Sequence, residues 1–232
     1  MNIPMSNRLL ACCSFIRKGD RVADIGCDHG YLGIYLLTKG IASSTIEVDV
    51  AVQPLESAKK NAVKFKVDSA MTFCLSDGAK DIPRDFDVMV CAGMGADTII
   101  SILHHSAHWL KDPKYRLVLQ CQSKRPELRQ WLYDAGYRIR RETLAQDGKF
   151  IYTVMEVVYA PGEGITPAET YISAQLLEDH HPLLPAYYER VMHGVKLTVE
   201  GMRHSSSDQL PIFEAVLSDL EALEAQIYGN RE

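Results

Sequence analysis

Two carboxylates and two glycines stand close together in the stretch Asp24-Ile25-Gly26-Cys27-Asp28-His29-Gly30. An apolar run precedes this stretch and a helical pattern follows it, which predicts a turn from a strand into a helix. Glycines in such a turn let a ligand approach the backbone, and the helix N-terminus adds a positive dipole. A turn that binds a pyrophosphate usually carries three glycines as G-x-G-x-x-G. Acids beside the ligand favour a cation instead, and S-adenosylmethionine, with a sulfonium, an ammonium and no phosphate, fits that requirement.

A simpler interpretation of the same turn needs no ligand. Asp28 could cap the helix while Gly30 eases the turn. Capping accounts for Asp28, but it does not account for Asp24 together with Gly26.

Short apolar segments alternate with helical patterns along the first two thirds of the chain. This alternation predicts a parallel sheet covered by helices on both faces, with right-handed crossovers. A first helix is predicted over residues 6–15. Strands are predicted at Arg21–Ile25, Thr45–Val50, Met71–Leu75, Phe86–Cys91 and Tyr115–Leu119, and helices at Tyr31–Thr38, Gln53–Phe65, Asp97–Leu110 and Pro126–Ala135.

The pattern changes after Gly136. Tyr137–Leu144 and Phe150–Tyr159 are two extended segments, and the Asp147-Gly148 pair in their five-residue connection predicts an antiparallel hairpin. A parallel sheet closed by such a hairpin is typical of methyltransferases rather than of nucleotide dehydrogenases. Residues 161–167 have the composition of a linker, so we predict two domains, 1–160 and 161–232.

The second domain is predicted to be a helical hairpin. Its last segment places Leu210, Phe213, Leu217, Leu220, Leu223 and Ile227 at spacings of three and four, with a partner helix through Leu184, Tyr188, Val191, Val195 and Met202. This arm either packs on its own domain or dimerises, so we expect a monomer or a weak homodimer.

Further polar residues and glycines follow the predicted strands, where ligands bind in open α/β sheets. Asp49 closes the second strand, a position at which an acid accepts the ribose hydroxyls of a cofactor. Asp77 and Gly78 follow the third strand, where an acceptor could meet an adenine amino group. The remaining members are Ala92, Gly93, Met94 and Gly95 after the fourth strand, and Gln120 and Gln122 after the fifth.

Charge is distributed unevenly in this chain of 232 residues, which has a formal net charge of −5. Residues 1–160 hold 21 Lys and Arg against 18 Asp and Glu, whereas residues 161–232 hold 4 against 12. If RNA binds, the first part must supply most of the phosphate contacts. The sequence has no apolar run long enough to span a bilayer and no signal-peptide pattern, so we expect a cytoplasmic protein without a membrane partner.

Neither the cysteines nor the histidines predict a metal centre. The six cysteines lack C-x-x-C spacing and lie mostly in apolar runs, which favours buried reduced thiols. His104 and His108 have the i, i+4 spacing of a metal clamp, but no nearby acid or cysteine completes a site. His180 and His181 adjoin the linker and are predicted to lie in a loop.

The string Ala23–Leu32, followed by Ala92-Gly93-Met94-Gly95 and by Leu119-Gln120-Cys121-Gln122, resembles the bacterial tRNA adenine-22 N1-methyltransferases. The resemblance covers roughly residues 5–160. It implies a class I, S-adenosylmethionine-dependent enzyme with a Rossmann-like α/β sheet, a terminal antiparallel hairpin and a small C-terminal helical extension. It also implies tRNA as the partner. Two positions depart from the family: Cys121 stands where a proline is usual, and Ala96 where a second glycine is usual.

The resemblance assigns roles to individual residues. It implies a cofactor site formed by Asp24, Gly26, Asp28, Gly30, Asp49, Asp77, Gly78, Ala92 and Gly93. We expect Asp28 to accept a hydrogen bond from the adenine amine, and His29, Tyr31 or Met94 to pack against a flipped-out base. The catalytic candidates are therefore Asp28, His29 and Met94. The candidates for substrate binding are Arg8, Tyr31, Gly95, Gln120, Gln122, Lys124 and Arg125, with Arg129, Arg138, Arg140 and Arg141 as further candidates for phosphate contacts.

Other functions stay open at this point. A class I methyltransferase for another RNA, a protein or a small molecule fits the same residues. A nicotinamide-dependent oxidoreductase is disfavoured by the missing third glycine and by the hairpin. A non-catalytic binding module is disfavoured by the acids at positions 24, 28, 49 and 77.

Overall fold

The computed structural model describes residues 2–205 and 207–229. The chain divides into two compact units, residues 1–162 and 163–232. Within the described residues, the first unit contains one seven-stranded sheet with the order β3-β2-β1-β4-β5-β7-β6. Its elements are α1 Asn7–Cys13, β1 Arg21–Ile25, α2 Tyr31–Thr38, β2 Ser44–Asp49, α3 Val52–Phe65, β3 Met71–Leu75, β4 Val88–Met94, α4 Ala96–Leu110, β5 Arg116–Cys121, α5 Arg125–Asp134, β6 Tyr137–Asp147 and β7 Phe150–Tyr159.

Strands β1 to β5 are parallel, and β7 and β6 close the sheet as an antiparallel hairpin. This is the predicted Rossmann-like methyltransferase sheet, and the fold class is confirmed. Because β1 to β5 run in one direction, their carboxyl ends meet at one edge of the sheet. The residues that follow or end these strands are thereby brought together.

The two faces of the sheet bury different side chains, as the period of two in a strand requires. Ala23 and Ile25 of β1 belong to the core that includes residues of α4 and α5. Val22 lies on the other face, in a cluster with Cys12 of α1 and Leu32 of α2. Both faces of β1 are therefore covered by helices.

Strand β4 differs from the predicted strand 86–91. It begins at Val88 and continues through Ala92 and Gly93 to Met94, residues that were expected to follow the strand. The register with β5 shifts between Ala92 and Met94, and Gly93 has a φ of +81°. A glycine in this conformation is what a bulge of this kind needs.

The hairpin connection is also shorter than predicted. Asp147 pairs with Phe150, so only Gly148 and Lys149 form the loop instead of residues 145–149. Gly148 has a φ of +58°, and glycine adopts the positive φ that a two-residue hairpin turn needs without strain.

The second unit is helical, with a 3-10 turn at Ala168–Thr170 and helices α6 Ala174–Glu178, α7 Leu184–Ser205, α8 Leu210–Ala222 and α9 Glu224–Tyr228. Tyr188 donates from its hydroxyl to Leu220 O over 3.2 Å, and Arg203 pairs with Glu214 at 2.7 Å. Since 188 meets 220 and 203 meets 214, α7 and α8 are antiparallel, as predicted. His180 and His181 lie outside the helices, again as predicted. No helix among the described residues is both long and apolar enough to cross a membrane.

Candidate active site

The acidic turn between β1 and α2 is held mainly by its backbone. The N–H groups of Gly26 and Cys27 both donate to Val48 O, over 2.8 and 2.9 Å. Gly26, Asp28 and Gly30 have φ values of +73°, +52° and +67°. The N-cap position of α2 belongs to Gly30, not to Asp28. The capping interpretation of Asp28 is therefore wrong, and its carboxylate stays 72% exposed beside the turn.

Asp49 connects this turn to the end of β2. Its Oδ2 accepts from the Asp28 backbone N–H over 3.3 Å, and its Oδ1 accepts from the Ala51 N–H over 3.0 Å. The side chain is fixed by these two bonds while each carboxylate oxygen retains a lone pair. Asp49 is thus oriented to accept hydroxyl groups at the carboxyl edge of the sheet.

A cleft of about 410 Å³ opens at this edge. Its lining includes Gly26, Asp49, Asp77, Gly78, Met94 and Asp97. Asp77 is an exposed carboxylate paired with Lys80. A Cβ on Gly78 would lie 2.9 Å from Ile102, so only glycine fits at that wall. The structure thus brings predicted residues from the ends of β1, β2, β3 and β4 to one cleft. The predicted cofactor residues that are not part of its lining are Asp24, Asp28, Gly30, Ala92 and Gly93.

The imidazole of His29 lies at the outer side of the turn. Its Nε2 is 3.7 Å from Asp28 Oδ1, and its ring centroid is 5.7 Å from that of Tyr31. The His29 carbonyl accepts a 3.0 Å hydrogen bond from Asn61, so its backbone helps to hold the turn. About half of the imidazole side chain is exposed, which leaves it open to a substrate.

Gln120 does not have the role that we expected for it. It is fully buried, and its Oε1 accepts from the Gly93 N–H over 2.9 Å and from Arg8 over 3.2 Å. An amide engaged in this way cannot reach a base edge, so its assignment to substrate binding is wrong. Its chemistry is instead to fix the bulge at Gly93. Gln122, two residues later, is exposed at the same edge.

Arg8 is placed over that bulge rather than on open surface. Besides Gln120 it faces Asp147 at 3.8 Å, and its guanidinium would lie 3.0 Å from a Cβ on Gly93. Its side chain is 27% exposed. Arg8 therefore ties α1 to β4 and β5 beside the cleft.

Of the other predicted cations, Arg138, Arg140 and Arg141 lie on β6, and the remaining three lie at or in α5. Lys124 and Arg125 lie at the start of α5, where Lys124 pairs with Asp97 at 2.7 Å and Arg125 donates to Ile151 O over 3.4 Å. Arg129 is fully buried and forms an ion pair with Glu142, which is also buried. Arg129 cannot contact a phosphate, and that expectation is wrong.

Two buried acids behind the cleft complete this region. Asp24 and Glu47 are neighbours in the register of β1 and β2, and they are 4% and 0% exposed. Burial raises the pKa of both carboxyls, and so does a nearby acid: Asp49 for Asp24, and Asp24 for Glu47. Both oxygens of Glu47 lack a hydrogen-bond partner among the described residues. Asp24 therefore lies beneath the turn instead of at its surface.

Sequence reasoning missed Glu47 and Asp97. Glu47 stands in the apolar run of β2, and an acid there was itself a signal of an unusual buried site. Asp97 follows Gly95 and Ala96 in the first turn of α4, where the positive end of the helix dipole stabilises an acidic side chain. Gly95 is the N-cap of that helix, so the cleft contains a helix N-terminus as well as acids.

Most of the cysteines are buried, as the sequence predicted. All six cysteines are free, and Cys74 is the least buried of them. Within residues 2–205 and 207–229, no group of three or more His, Cys, Asp or Glu could hold a metal ion. His105, next to the predicted His104–His108 pair, contacts Ser101 O at 2.7 Å through its Nδ1.

Known proteins resemble this chain in sequence and in fold. The tRNA (adenine(22)-N(1))-methyltransferase of Bacillus subtilis is 34% identical over 149 residues, which cover 63% of this chain and 62% of that protein. The Streptococcus pneumoniae protein Sp1610, whose crystal structure is a complex with S-adenosyl-L-methionine, is 25% identical with a TM-score of 0.79, covering 92% of this chain and 100% of that one. The crystal structure of the B. subtilis m1A22 tRNA methyltransferase TrmK has a TM-score of 0.78 at 23% identity and covers 98% of this chain and 99% of that one.

These likenesses confirm the resemblance that the motifs predicted. The matched segments span about three fifths of the length of the curated relatives. The family model described as a methyltransferase domain matches residues 5–155, which include the whole acidic turn and the cleft. This chain therefore belongs to the methyltransferase domain family.

Proposed function

We propose that this chain is an S-adenosylmethionine-dependent methyltransferase that methylates N1 of an adenine in tRNA, adenine 22 by analogy with the B. subtilis relative. The observation that carries the proposal is the cleft at the carboxyl edge, where Gly26 of the turn lies with the carboxylates of Asp49, Asp77 and Asp97. Acids at this position favour a ligand that is cationic and rich in hydroxyl and amino groups, and they disfavour a pyrophosphate. The same protein acts in the cytoplasm, as a monomer or a weak homodimer, with tRNA as its partner.

The hydrogen-bond acceptors of the cleft fit the hydroxyl and amino groups of S-adenosylmethionine. Asp49 has fixed, partly exposed oxygens for the ribose hydroxyls, and Asp77 with Gly78 borders the space for the adenine ring. A Cβ at Gly26 would overlap the Met94 methyl group, so glycine at this position lets Met94 pack against the turn at the wall of the cleft. The proposed cofactor residues are Asp24, Gly26, Asp28, Gly30, Asp49, Asp77, Gly78, Ala92 and Gly93, with Asp24 acting from beneath the turn.

The reaction asks the protein for alignment more than for proton transfer. The bound cofactor supplies an electrophilic methyl group on its sulfonium. Adenine N1 has a free lone pair, so no base has to deprotonate it first. What remains is to hold the base in line, exclude water and offset the positive charge that develops on the ring. The exposed carboxylate of Asp28 is the group that we assign to this charge and to the exocyclic amine.

The target base must leave its stack before its N1 can react, because pairing hides that atom. His29 and Tyr31 present adjacent rings at the outer side of the turn, and Met94 borders the cleft from β4. We assign these three side chains to packing against the extruded adenine. Gln122 and Gly95 lie at the same edge, and Lys124 and Arg125 lie at the start of the adjacent α5.

Methyl transfer from labelled S-adenosylmethionine to an unmodified tRNA transcript, followed by nucleoside analysis, tests the proposal. We expect 1-methyladenosine, and we expect it to disappear when nucleotide 22 of the transcript is not adenine. Binding of S-adenosylmethionine without transfer to any tRNA would contradict the proposed substrate and redirect the search to proteins or small molecules. Binding of NAD instead of S-adenosylmethionine would contradict the cofactor.

A further inference from the structure

A second cleft lies at the amino edge of the sheet, opposite the edge that holds the candidate active site. It has a volume of about 550 Å³ and lies where β5 begins, beside β6 and β7. Among its lining residues are five cations, one acid and one partly buried aromatic ring: Arg17, Lys114, Arg116, Arg140, Arg141, Glu156 and Tyr159. So strong an excess of one charge is a feature to be explained in a chain whose net charge is −5.

A single buried carboxylate organises the arginines of this cleft. Glu156 is 2% exposed, and it accepts from Arg17 over 3.3 Å, from Arg116 over 3.0 Å and from Arg141 over 2.8 Å. Asp20 gives Arg116 a second partner. Two carboxylates therefore face three guanidinium groups, and the cluster retains positive charge.

The arginines keep unused donors. A guanidinium has five N–H donors. Arg17 uses one terminal nitrogen on Glu156, and Arg141 uses its Nε. Their side chains are 63% and 49% exposed, so the remaining N–H groups are accessible. Because Glu156 already orders these side chains, little further side-chain conformational entropy is lost when an anion binds to them.

Two further cations widen the positive surface. Arg140 is exposed and makes no side-chain hydrogen bond or ion pair with the described residues. Lys114 is 61% exposed, pairs with Asp112 at 3.2 Å and also borders a neighbouring cleft with Arg84, His108 and Lys111. The positive surface thus continues beyond a single anion-sized site, along the amino edge.

We propose that this amino-edge cleft binds the phosphodiester backbone of the RNA substrate, away from the base that is methylated. The proposal rests on the proposed function and extends it to a second contact region. Arg presents planar pairs of N–H donors that match phosphate oxygens, and a row of ordered cations suits a repeating polyanion.

The separation of the two edges is compatible with one RNA molecule reaching both. Arg116 begins β5 and Gln120 lies four residues further along the same strand, which corresponds to ~13 Å. A folded RNA is much longer than that. The cofactor edge would then take the target base, while the amino edge takes backbone phosphates outside it.

The test uses the double variant Lys114→Ala/Arg140→Ala, which leaves the Glu156 cluster and the cofactor cleft intact. The matched control is Lys39→Ala/Lys64→Ala, which removes two exposed lysines from α2 and α3, the helices beside the β1–β3 half of the sheet. We expect the Kd for unmodified tRNA, measured directly, and the KM for tRNA to rise about 5- to 10-fold in the first variant. We expect the slope of log K against log salt to fall by about one to two, as each lost phosphate contact predicts.

The kcat at saturating tRNA and the affinity for S-adenosylmethionine should equal those of the wild type. Equal tRNA affinity and salt slope in the two double variants would overturn the inference. A second outcome would also overturn it. If inorganic phosphate stabilises the wild type and the control variant against unfolding but not the Lys114/Arg140 variant, while that variant binds tRNA with unchanged affinity, the cleft is a site for a free anion and not for RNA. If the wild type methylates no tRNA, the proposed function fails, whereas the direct RNA-binding comparison still decides this inference.

Discussion

The methyl group of Met94 fills the space that a side chain on Gly26 would need. Gly26 also has a φ of +73°, which L side chains rarely adopt. We therefore expect Gly26→Ala to lower the free energy of unfolding by ~1–3 kcal/mol and to weaken S-adenosylmethionine binding about 10-fold or more, since Met94 and the turn must both shift. Denaturant unfolding and cofactor titration measure the two effects.

Gly40→Ala is the control for this variant. Gly40 has a similar φ of +64°, but nothing lies within 4 Å of an added Cβ. It should therefore show backbone strain alone, ~1 kcal/mol, with unchanged cofactor affinity. If the two variants bind the cofactor equally well, the turn at Gly26 is not the cofactor site.

Asp49→Asn removes the charge of the side chain that accepts hydrogen bonds from the backbone N–H groups of Asp28 and Ala51. The amide keeps one oxygen acceptor, so the fold should persist, but one of the backbone N–H bonds and the acceptors for a ribose are lost. We expect the Kd for S-adenosylmethionine to rise about 10-fold or more, since a hydrogen bond to a charged group contributes ~1.5–3 kcal/mol. Asp68→Asn, at an exposed position after α3, should bind like the wild type.

Asp28→Ala separates catalysis from cofactor binding. The carboxylate is 72% exposed, and the backbone N–H that donates to Asp49 is retained in the variant. We expect kcat for tRNA methylation to fall about 100-fold, as for loss of one group that stabilises transition-state charge. Because Asp28 is also one of the proposed cofactor residues, kcat is measured at saturating S-adenosylmethionine and cofactor affinity is titrated separately. Wild-type turnover in a folded, cofactor-binding Asp28→Ala protein would rule out this role.

Glu47→Gln tests the buried acids through the pH dependence of stability. The pKa of Glu47 is raised in the folded protein, mainly by burial, so between its unfolded and folded values the native state binds more protons than the unfolded chain. Its contribution is therefore full below the ordinary pKa of a glutamate and is lost as pH rises through the folded pKa. Glu47→Gln should make this decline less steep. Relative to the wild type, its free energy of unfolding should be ~1 kcal/mol or more higher at pH 8 than the same comparison gives at pH 5.

Urea unfolding of this variant between pH 5 and pH 9 gives the measurement. Asp24 titrates in the same direction, so part of the slope should persist. Glu56→Gln, at an exposed position where Lys59 holds the pKa of the carboxyl below its usual range, serves as the control. An unchanged slope in Glu47→Gln would mean that Glu47 does not carry the effect.

Arg129→Met should be among the most destabilising changes in α5. It leaves the Glu142 carboxylate buried without its cation, which costs ~3–5 kcal/mol. The double variant Arg129→Met/Glu142→Gln removes both charges and should recover most of that loss. If the double variant is less stable than the single one, the ion pair is not the source of the effect.

The sequence predicted the sheet well because its strands are short apolar runs bounded by turn residues, and that pattern arises from local chemistry. Side-chain environments were harder to predict. Arg129 has the sequence context of a surface cation on an amphipathic helix, and only the packing of α5 on β6 buries it beside Glu142. Gln120 was expected to follow the fifth strand, but it lies inside β5, and its amide oxygen accepts a hydrogen bond from the N–H of Gly93 in the bulge.

The acidic turn illustrates the same limit at the site itself. Asp24, Gly26, Asp28 and Asp49 were predicted as cofactor residues because they lie at or near the carboxyl ends of predicted strands, and this assignment stays a prediction. Which of them faces solvent depends on the two-residue period of the strand and on the helix above it. Asp24 is consequently buried beside Glu47, while Asp28 is exposed.

Because the thiols are buried, the rate at which each one is alkylated reports how often the structure around it opens. Cys12 and Cys13 are the last residues of α1 and are buried, Cys27 lies in the acidic turn, and Cys121 ends β5. Burial raises the pKa of each thiol, so an alkylating reagent at neutral pH should modify it only when its surroundings open. The rate of alkylation at Cys27, with and without cofactor, thus becomes a direct readout of how often the turn detaches from the sheet.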